Sequence, residues 1–417
     1  MTTTQRTNWA GNVTYRPGAL HRPRTIAQVQ ELVAASEAIR PVGTGHSFND
    51  IADGRAAQLS LDALEQPTLV DRESTTVTVG AGLRYAQLTA DLDAAGLALH
   101  NLGSLPHISV AGACATGTHG SGDANGNLAT AVSAIDLVTA DGQLRTLRRD
   151  RDSDRFPGVV VGLGALGVVV RLTLDVVPTF GVRQWVYSGL SWSALHAHLD
   201  EIFASGYSVS VFTRWHSAEA GTVWIKRREH DPRPDGDLFG ARPSGPSHPV
   251  PGMPPENCTL QDGIAGAWHE RLPHFRAEFL PSSGQELQSE YLVPREHASA
   301  ALTALFALRE QIAPLLQVCE LRTVAQDDLW LSPSYGRDVL GIHFTWIDDE
   351  AAVLRVLREV EAALAPFSPR PHWGKLFVTP PEQVRAAYPR FEDFAALVRE
   401  LDPRQTFGNA FLDRLLH

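Results

Sequence analysis

The sequence predicts an α+β protein of more than one part, on three observations. The chain has 417 residues, and at about 150 residues per domain that is a prior of two to three domains. Helical and strand periodicities are interspersed without a repeating strand–helix alternation. The texture also changes at Pro178: loops of small residues precede it, and Trp185, Trp192, Trp215, Trp224 and alternating runs such as Ser208–Trp215 follow it.

The elements follow in chain order. Thr25 is placed to cap a helix over 25–36. Ile39 to Val42 read as a strand entering the loop Gly43-Thr44-Gly45-His46-Ser47. Residues 75–80 alternate as a strand, and 84–95 form a helix closed by Gly96. Residues 132–147 are two strands joined at Asp141-Gly142, a hairpin signal. Residues 168–177 are a strand stopped by Pro178. Residues 231–256 are Pro/Gly-rich and loop-like. Helices are expected at 296–313 and 348–365, strands at 317–324 and 339–347, and a short strand at 376–379 before terminal helices. The pattern gives an α+β part to about residue 178, a second to about 375, and a helical tail.

Composition narrows the function. Net charge is −11, which argues against a nucleic-acid surface or an anionic membrane as partner. An anionic ligand must then be held by local donors. Cys114, Cys258 and Cys319 are sparse and odd in number, without disulfide or zinc spacing. The N-terminal stretch has no apolar core of a signal peptide, so the expectation is a soluble cytoplasmic protein. Only Lys226 and Lys375 among 36 basic residues are lysine. Arginine replaces lysine readily on a solvated surface but not where a compact ammonium is needed, which marks both survivors.

The run Gly162-Leu163-Gly164-Ala165-Leu166-Gly167 fits G-x-G-x-x-G, but it precedes a strand instead of opening a helix, so a tight helix-to-strand turn is the better reading. Trp268–His274 resembles a zinc-protease helix with the second histidine one residue late and a proline in the way; no metal is expected. The 43–47 loop is better suited to a ligand. Its two glycines let successive backbone N–H groups converge on a phosphate, although many ordinary turns look alike. Between Gly103 and Gly126, six glycines and many hydroxyl residues let backbone approach a large ligand. Two such loops favour a large phosphate-bearing cofactor.

In the middle part, Gln288 and Glu290, Glu320 and Arg322, and His343 and Thr345 each sit two apart on a strand-like run, hence on one face. If those strands are neighbours, one face carries amide, carboxylate, guanidinium, imidazole and hydroxyl together. A merely solvated sheet face is the alternative.

These motifs together resemble the vanillyl-alcohol-oxidase type of flavoprotein (FAD-linked, PCMH-type), and within it the alditol oxidases of xylitol and sorbitol. The likeness runs end to end through Asn8-Trp9-Ala10-Gly11-Asn12, Val42–Phe48, Ser104–Gly112, Ala115–Gly122, His372-Trp373-Gly374-Lys375 and Phe407-Gly408-Asn409. It implies a two-domain α+β fold: a PCMH-type FAD-binding domain over 1–178 plus 376–417, and an α+β substrate (cap) domain over 179–375. It implies FAD held by Pro41, Val42, Gly43, Thr44, Gly45, His46, Ser47, Ser104, Ser109, Gly112, Thr116, Gly117, Thr118, His119, Val168 and His372, with an 8α-histidyl bond to His46. The implied reaction is hydride transfer from a terminal alcohol carbon to flavin N5, with O2 reduced to hydrogen peroxide. Arg322 and Lys375 would hold the C1 oxygen, with His343 or a neutral Lys375 as base. Glu320 and Ser104 would bind the C2 hydroxyl, and Thr345 and Gln288 hydroxyls further along. Gly103 stands where the subgroup more often has Ala, which implies easier O2 access. The expected partners are a polyol and O2 on a monomer. An aldonolactone oxidase or dehydrogenase on the same frame is the runner-up, and a flavin binder without catalysis is the third reading.

Overall fold

The computed structural model describes residues 6–215, 219–234, 236–279 and 285–417. The first five residues of the N-terminal stretch read above lie outside the described residues.

Three sheets organise the molecule. A small parallel sheet sets Ala57–Ser60 between Ala19–His21 and Ile39–Val42. A five-stranded antiparallel sheet runs Leu69–Asp71, Thr76–Gly80, Val168–Asp175, Val132–Val138, Leu144–Arg148. Its hairpin turns at Gly142, whose φ of 79° requires glycine. The third sheet is larger and antiparallel. Its centre runs Glu219–Arg228, Ser208–Thr213, Leu316–Val324, Val339–Trp346, Leu287–Pro294.

The large sheet has two unlike faces, and period two explains them. On one face Val209, Val211, Leu321, Ile342 and Phe344 form a core with Leu302 and Leu305 of the helix Ala298–Ala307 and Val353 and Leu357 of the helix Glu350–Leu364. The opposite face carries Phe212, Glu320, Arg322, His343, Thr345, Gln288 and Glu290 and is turned to the cleft described below. A second large core joins the five-stranded sheet to terminal helix residues such as Phe394 and Phe411.

Buried Arg40 pins distant segments together. Its guanidinium donates to the carbonyls of Ile51, Leu163, Gly164 and Phe407, so the chain's two ends and the 162–167 turn share one anchor.

Several expected elements differ. No strand forms at 376–379: Leu376 N–H donates to Gln288 O at 2.8 Å, but Val378 N–H goes to the Glu361 carboxylate at 2.7 Å. The short strand lies earlier, at Arg370–Pro371 on the sheet edge. The 103–126 run is not all loop; it contains the helix Val110–Ala115. The 296–313 helix divides at Leu308 into Ala298–Ala307 and Arg309–Ile312. Pro178 does not stop extended structure at once, because Val177–Pro178 pairs with Leu97–Ala98. The three cysteines are free and buried. Among the described residues no helix is long and apolar enough to cross a membrane, and no cluster of possible metal ligands occurs.

Candidate active site

Strand register assembles the site. Glu290, His343, Glu320 and Phe212 are consecutive partners across four neighbouring strands. Gln288 lies beside Thr345, and Gly341 beside Arg322. The three pairs of alternating residues do share a face, and their strands are neighbours.

Opposite this face stand the small-residue loops. Two adjoining cavities, with about 1280 and 1270 Å³ of open space, share Gly43, Thr44, Ser47, Ser109, Gly112 and Thr116 as wall. Because they adjoin across that shared wall, together they suit one long ligand. The backbone N–H groups of Thr44, Gly45, His46 and Ser47 have no protein acceptor among the described residues. A cluster of unpartnered amides on a cavity wall fits a phosphate-bearing group such as FAD.

His46 lies on this wall, its ring stacked on Trp9 at 5.3 Å between centroids and its Nδ1 3.0 Å from Thr44 Oγ1. Burial, with His107 and Arg84 adding to it, lowers its pKa to about 4, so the imidazole is neutral.

On the polar wall Glu290 is the hub. It is fully buried, with Lys375 Nζ at 2.6 Å, Arg322 Nη2 at 2.9 Å and His119 Nε2 at 3.2 Å. Burial alone would raise its pKa; Lys375 and Arg322 outweigh that and hold the carboxyl well below its ordinary value. Glu320 is governed similarly: burial raises it, while Arg322 and His274 outweigh burial. Its Oε1 lies 2.7 Å from His274 Nε2 and its Oε2 3.6 Å from His343 Nδ1. Burial, then Lys375, lowers His343 to about 4, and its Nε2 is buried without a partner. Lys375 reaches the cluster from a loop fixed by Asn49, whose side chain donates to Trp373 O at 2.9 Å and Lys375 O at 2.8 Å. Arg322 Nη1 donates to Ser104 Oγ at 3.3 Å, joining the two walls.

Of the expected site residues, Gly43, Thr44, Gly45, His46, Ser47, Gly103, Ser104, Ser109, Gly112, Thr116, Thr118, His119, Gln288, Glu320, Arg322, His343, Thr345, His372 and Lys375 line the first cavity. Pro41 and Val42 line the second. Two are corrected. Val168 is fully buried in the core; strand alternation turns its neighbour Val169 to the cavity instead. Gly117 lines neither cavity but makes a turn with φ of 64° against Pro333. Sequence reasoning also misses residues. Alternation places Glu290 on the correct face, two residues from Gln288, but assigns it no role. The 162–167 glycines, which the sequence marks as a turn, also line the second cavity. His274 comes from a loop; the sequence marks it only as the displaced histidine of a zinc-protease-like run and gives it no role.

A glycine-rich wall of unpartnered amides facing a polar wall of paired carboxylates and cations suits a cofactor-dependent enzyme. Comparisons with known proteins make this specific. Residues 17–148 match the family "FAD binding domain", and 284–415 match "D-arabinono-1,4-lactone oxidase". An alditol oxidase from Streptomyces is 54% identical over 98% of both chains. An L-gulono-1,4-lactone dehydrogenase from Mycobacterium tuberculosis is 29% identical, also over 98% of both. The crystal structure of cholesterol oxidase from B. sterolicum superposes with a TM-score of 0.80 at 18% identity, covering 99% of this chain and 96% of that one, and so shares the fold. The chain belongs to the alditol-oxidase family of FAD-linked, vanillyl-alcohol-oxidase-type flavoproteins.

Proposed function

We propose that the protein is an FAD-dependent oxidase that converts the terminal primary alcohol of an alditol, such as xylitol or sorbitol, to the aldehyde. The observation that carries this reading is the sheet face on which Gln288, Thr345, Glu320, Arg322 and His343 line one cavity. Buried polar groups matched to substrate hydroxyls strongly reject ligands lacking them. When bound, FAD supplies the hydride acceptor and passes the electrons to O2, yielding hydrogen peroxide.

The chain's residues do the rest. Glu320 accepts from the C2 hydroxyl, and Ser104 lies beside it. Thr345 and Gln288 read hydroxyls further along the substrate. Arg322 and Lys375 place positive charge at the C1 oxygen. Between the two candidate bases, the geometry favours His343. Its Nε2 is unpartnered, whereas Lys375 is engaged by Glu290. A general base needs a free lone pair within reach of the proton it removes. Neutral His46 is a competent nucleophile for covalent attachment of the flavin, and Trp9 holds its plane. In this reading 1–178 and 376–417 supply the cofactor wall and 179–375 most of the substrate wall.

Purified protein is expected to be yellow and to stay yellow in an acid-precipitated pellet, with the pellet colour lost in His46→Ala. A colourless wild-type pellet removes the covalent bond, and protein that takes up no FAD removes the whole reading. The match of 284–415 to a lactone-oxidase family supports a second reading, aldonolactone oxidation. Steady-state rates on xylitol or sorbitol against a sugar lactone separate the two, and the polyol is expected to be the better substrate.

A further inference from the structure

Lys226 has no part in the chemistry above, yet it is 1% exposed and forms no ion pair among the described residues. It sits on the cavity side of the large sheet, on the strand beside Ser208–Thr213. Its Nζ donates to Leu272 O, to Pro273 O at 3.3 Å and to His274 Nδ1 at 3.1 Å. Burial lowers the Lys226 amine to about 7; in its ammonium form it has three hydrogens and no lone pair, so the three acceptors match it and Nδ1 of His274 is then the bare nitrogen. The proton of the neutral ring then lies on Nε2, which donates to Glu320 Oε1 at 2.7 Å.

The ring has little freedom to do otherwise. Phe212 and Trp224 meet it edge-on, at 5.4 and 5.3 Å between centroids. Its backbone N–H donates to Ser104 O at 3.2 Å, and its carbonyl accepts from Thr259 N–H at 3.0 Å. Thr259 Oγ1 also donates to Pro273 O at 2.7 Å, steadying an acceptor that Lys226 uses. Burial, then Lys226, lowers His274 to about 4, consistent with a ring that stays neutral.

We infer that Lys226 and His274 form a positioning relay: the lysine selects the Nε2–H tautomer of His274, and that N–H fixes Glu320 as an ionised acceptor aimed at the substrate's hydroxyl. This rests on the reading of Glu320 as a substrate ligand. Lys226 stands behind the cavity wall, and His274 lines the cavity beside Glu320. Both act through Glu320, so their loss weakens binding in ground and transition state alike, which raises KM more than it lowers kcat.

The test uses the FAD-loaded full-length enzyme. Lys226→Met and His274→Leu are expected to raise KM for the polyol by roughly ten- to a hundredfold, the range of a hydrogen bond to a charged group. kcat is expected to change by less than about threefold. His274→Gln keeps an N–H for Glu320 and is expected to recover KM to within about threefold of wild type. In a Glu320→Gln background, Lys226→Met should add nothing, because coupled residues are non-additive. A Lys226→Met enzyme with intact flavin spectrum and unchanged KM overturns the relay, as does full additivity with Glu320→Gln. A direct readout is independent of substrate. Histidine-selective 15N spectra, with the His274 signal assigned from its loss in His274→Gln, report the tautomer. Protonated Nε2 and bare Nδ1 support the relay, and the reverse overturns it. If the wild type oxidises no polyol, the functional reading fails while these spectra still decide the relay.

Discussion

Glu290 is the residue on which the polar wall depends most. Replacing it by Gln keeps the shape but leaves the Lys375 and Arg322 charges without their shared carboxylate. Breaking a buried pair this way costs about 3–5 kcal/mol. Glu290→Gln is therefore expected to lower Tm and to cut kcat/KM at least about tenfold, a loss of about 1.4 kcal/mol in transition-state binding. Wild-type values for both would remove the hub role. His343 makes a pH prediction. Its folded pKa is about 4, so the ring is unprotonated above that pH, and proton acceptance is lost only as pH falls through about 4. The acid limb of kcat/KM is expected well below the ordinary histidine value of about 6.5; a limb near that value would place the base elsewhere. At this scale the sequence is informative where spacing is short. His343 and Thr345, or Glu320 and Arg322, share a face because side chains alternate. His274 and Lys226 meet at 3.1 Å across 48 residues of sequence, and no local pattern encodes that.

At the scale of elements, two glycines make opposite predictions. A Cβ on Gly341 would stand 3.1 Å from Glu290 Oε1 and 3.4 Å from His119 Cε1. The glycine leaves room for the carboxylate in the middle of a strand. Gly341→Ala is expected to cost about 1–3 kcal/mol as an overpacked core site does and to lower kcat/KM by displacing Glu290; unchanged kinetics would contradict this. Gly103 is different, since its nearest neighbours are 3.7 Å away and a methyl fits in ordinary contact. Gly103→Ala is expected to keep its Tm and its rate of flavin reduction, while reoxidation by O2 slows in stopped flow. Equal reoxidation rates would end the idea that the missing methyl opens an oxygen path. Element type is legible wherever a cap or a period marks it. Thr25 accepts from Gln28 N–H at 3.2 Å as N-cap, as expected. It is not legible at 376–379, where Leu376 bonds once to the Gln288 carbonyl of a neighbouring strand and Val378 turns to the half-buried Glu361 carboxylate, so no ladder continues.

For the whole molecule, the buried histidines couple stability to pH. His274 and His343 both have folded pKa values of about 4, below about 6.5 in the unfolded chain. Between those values the unfolded state binds more protons, so stability rises with pH there and is lost as pH falls from about 6.5 toward 4. Each ring contributes up to about 3 kcal/mol, because every tenfold loss of proton affinity on folding is worth about 1.4 kcal/mol. Tm of the holoenzyme is expected to drop steadily over this interval, and less steeply in His274→Gln; a flat profile would show that these rings charge freely when folded. By itself the sequence determined the alternation of faces, the helix caps, the glycine-rich loops and the lack of metal-ligand or disulfide spacing, because each is set within a few residues by backbone geometry and composition. Only the tertiary structure decided that the 287–294, 316–324 and 339–346 strands are neighbours, that Glu290 joins Lys375 to Arg322, and that a buried lysine and histidine stand behind Glu320. Those contacts close over long stretches of chain, and what selects them is the burial of one sheet face against helices, which leaves the other face to the cleft.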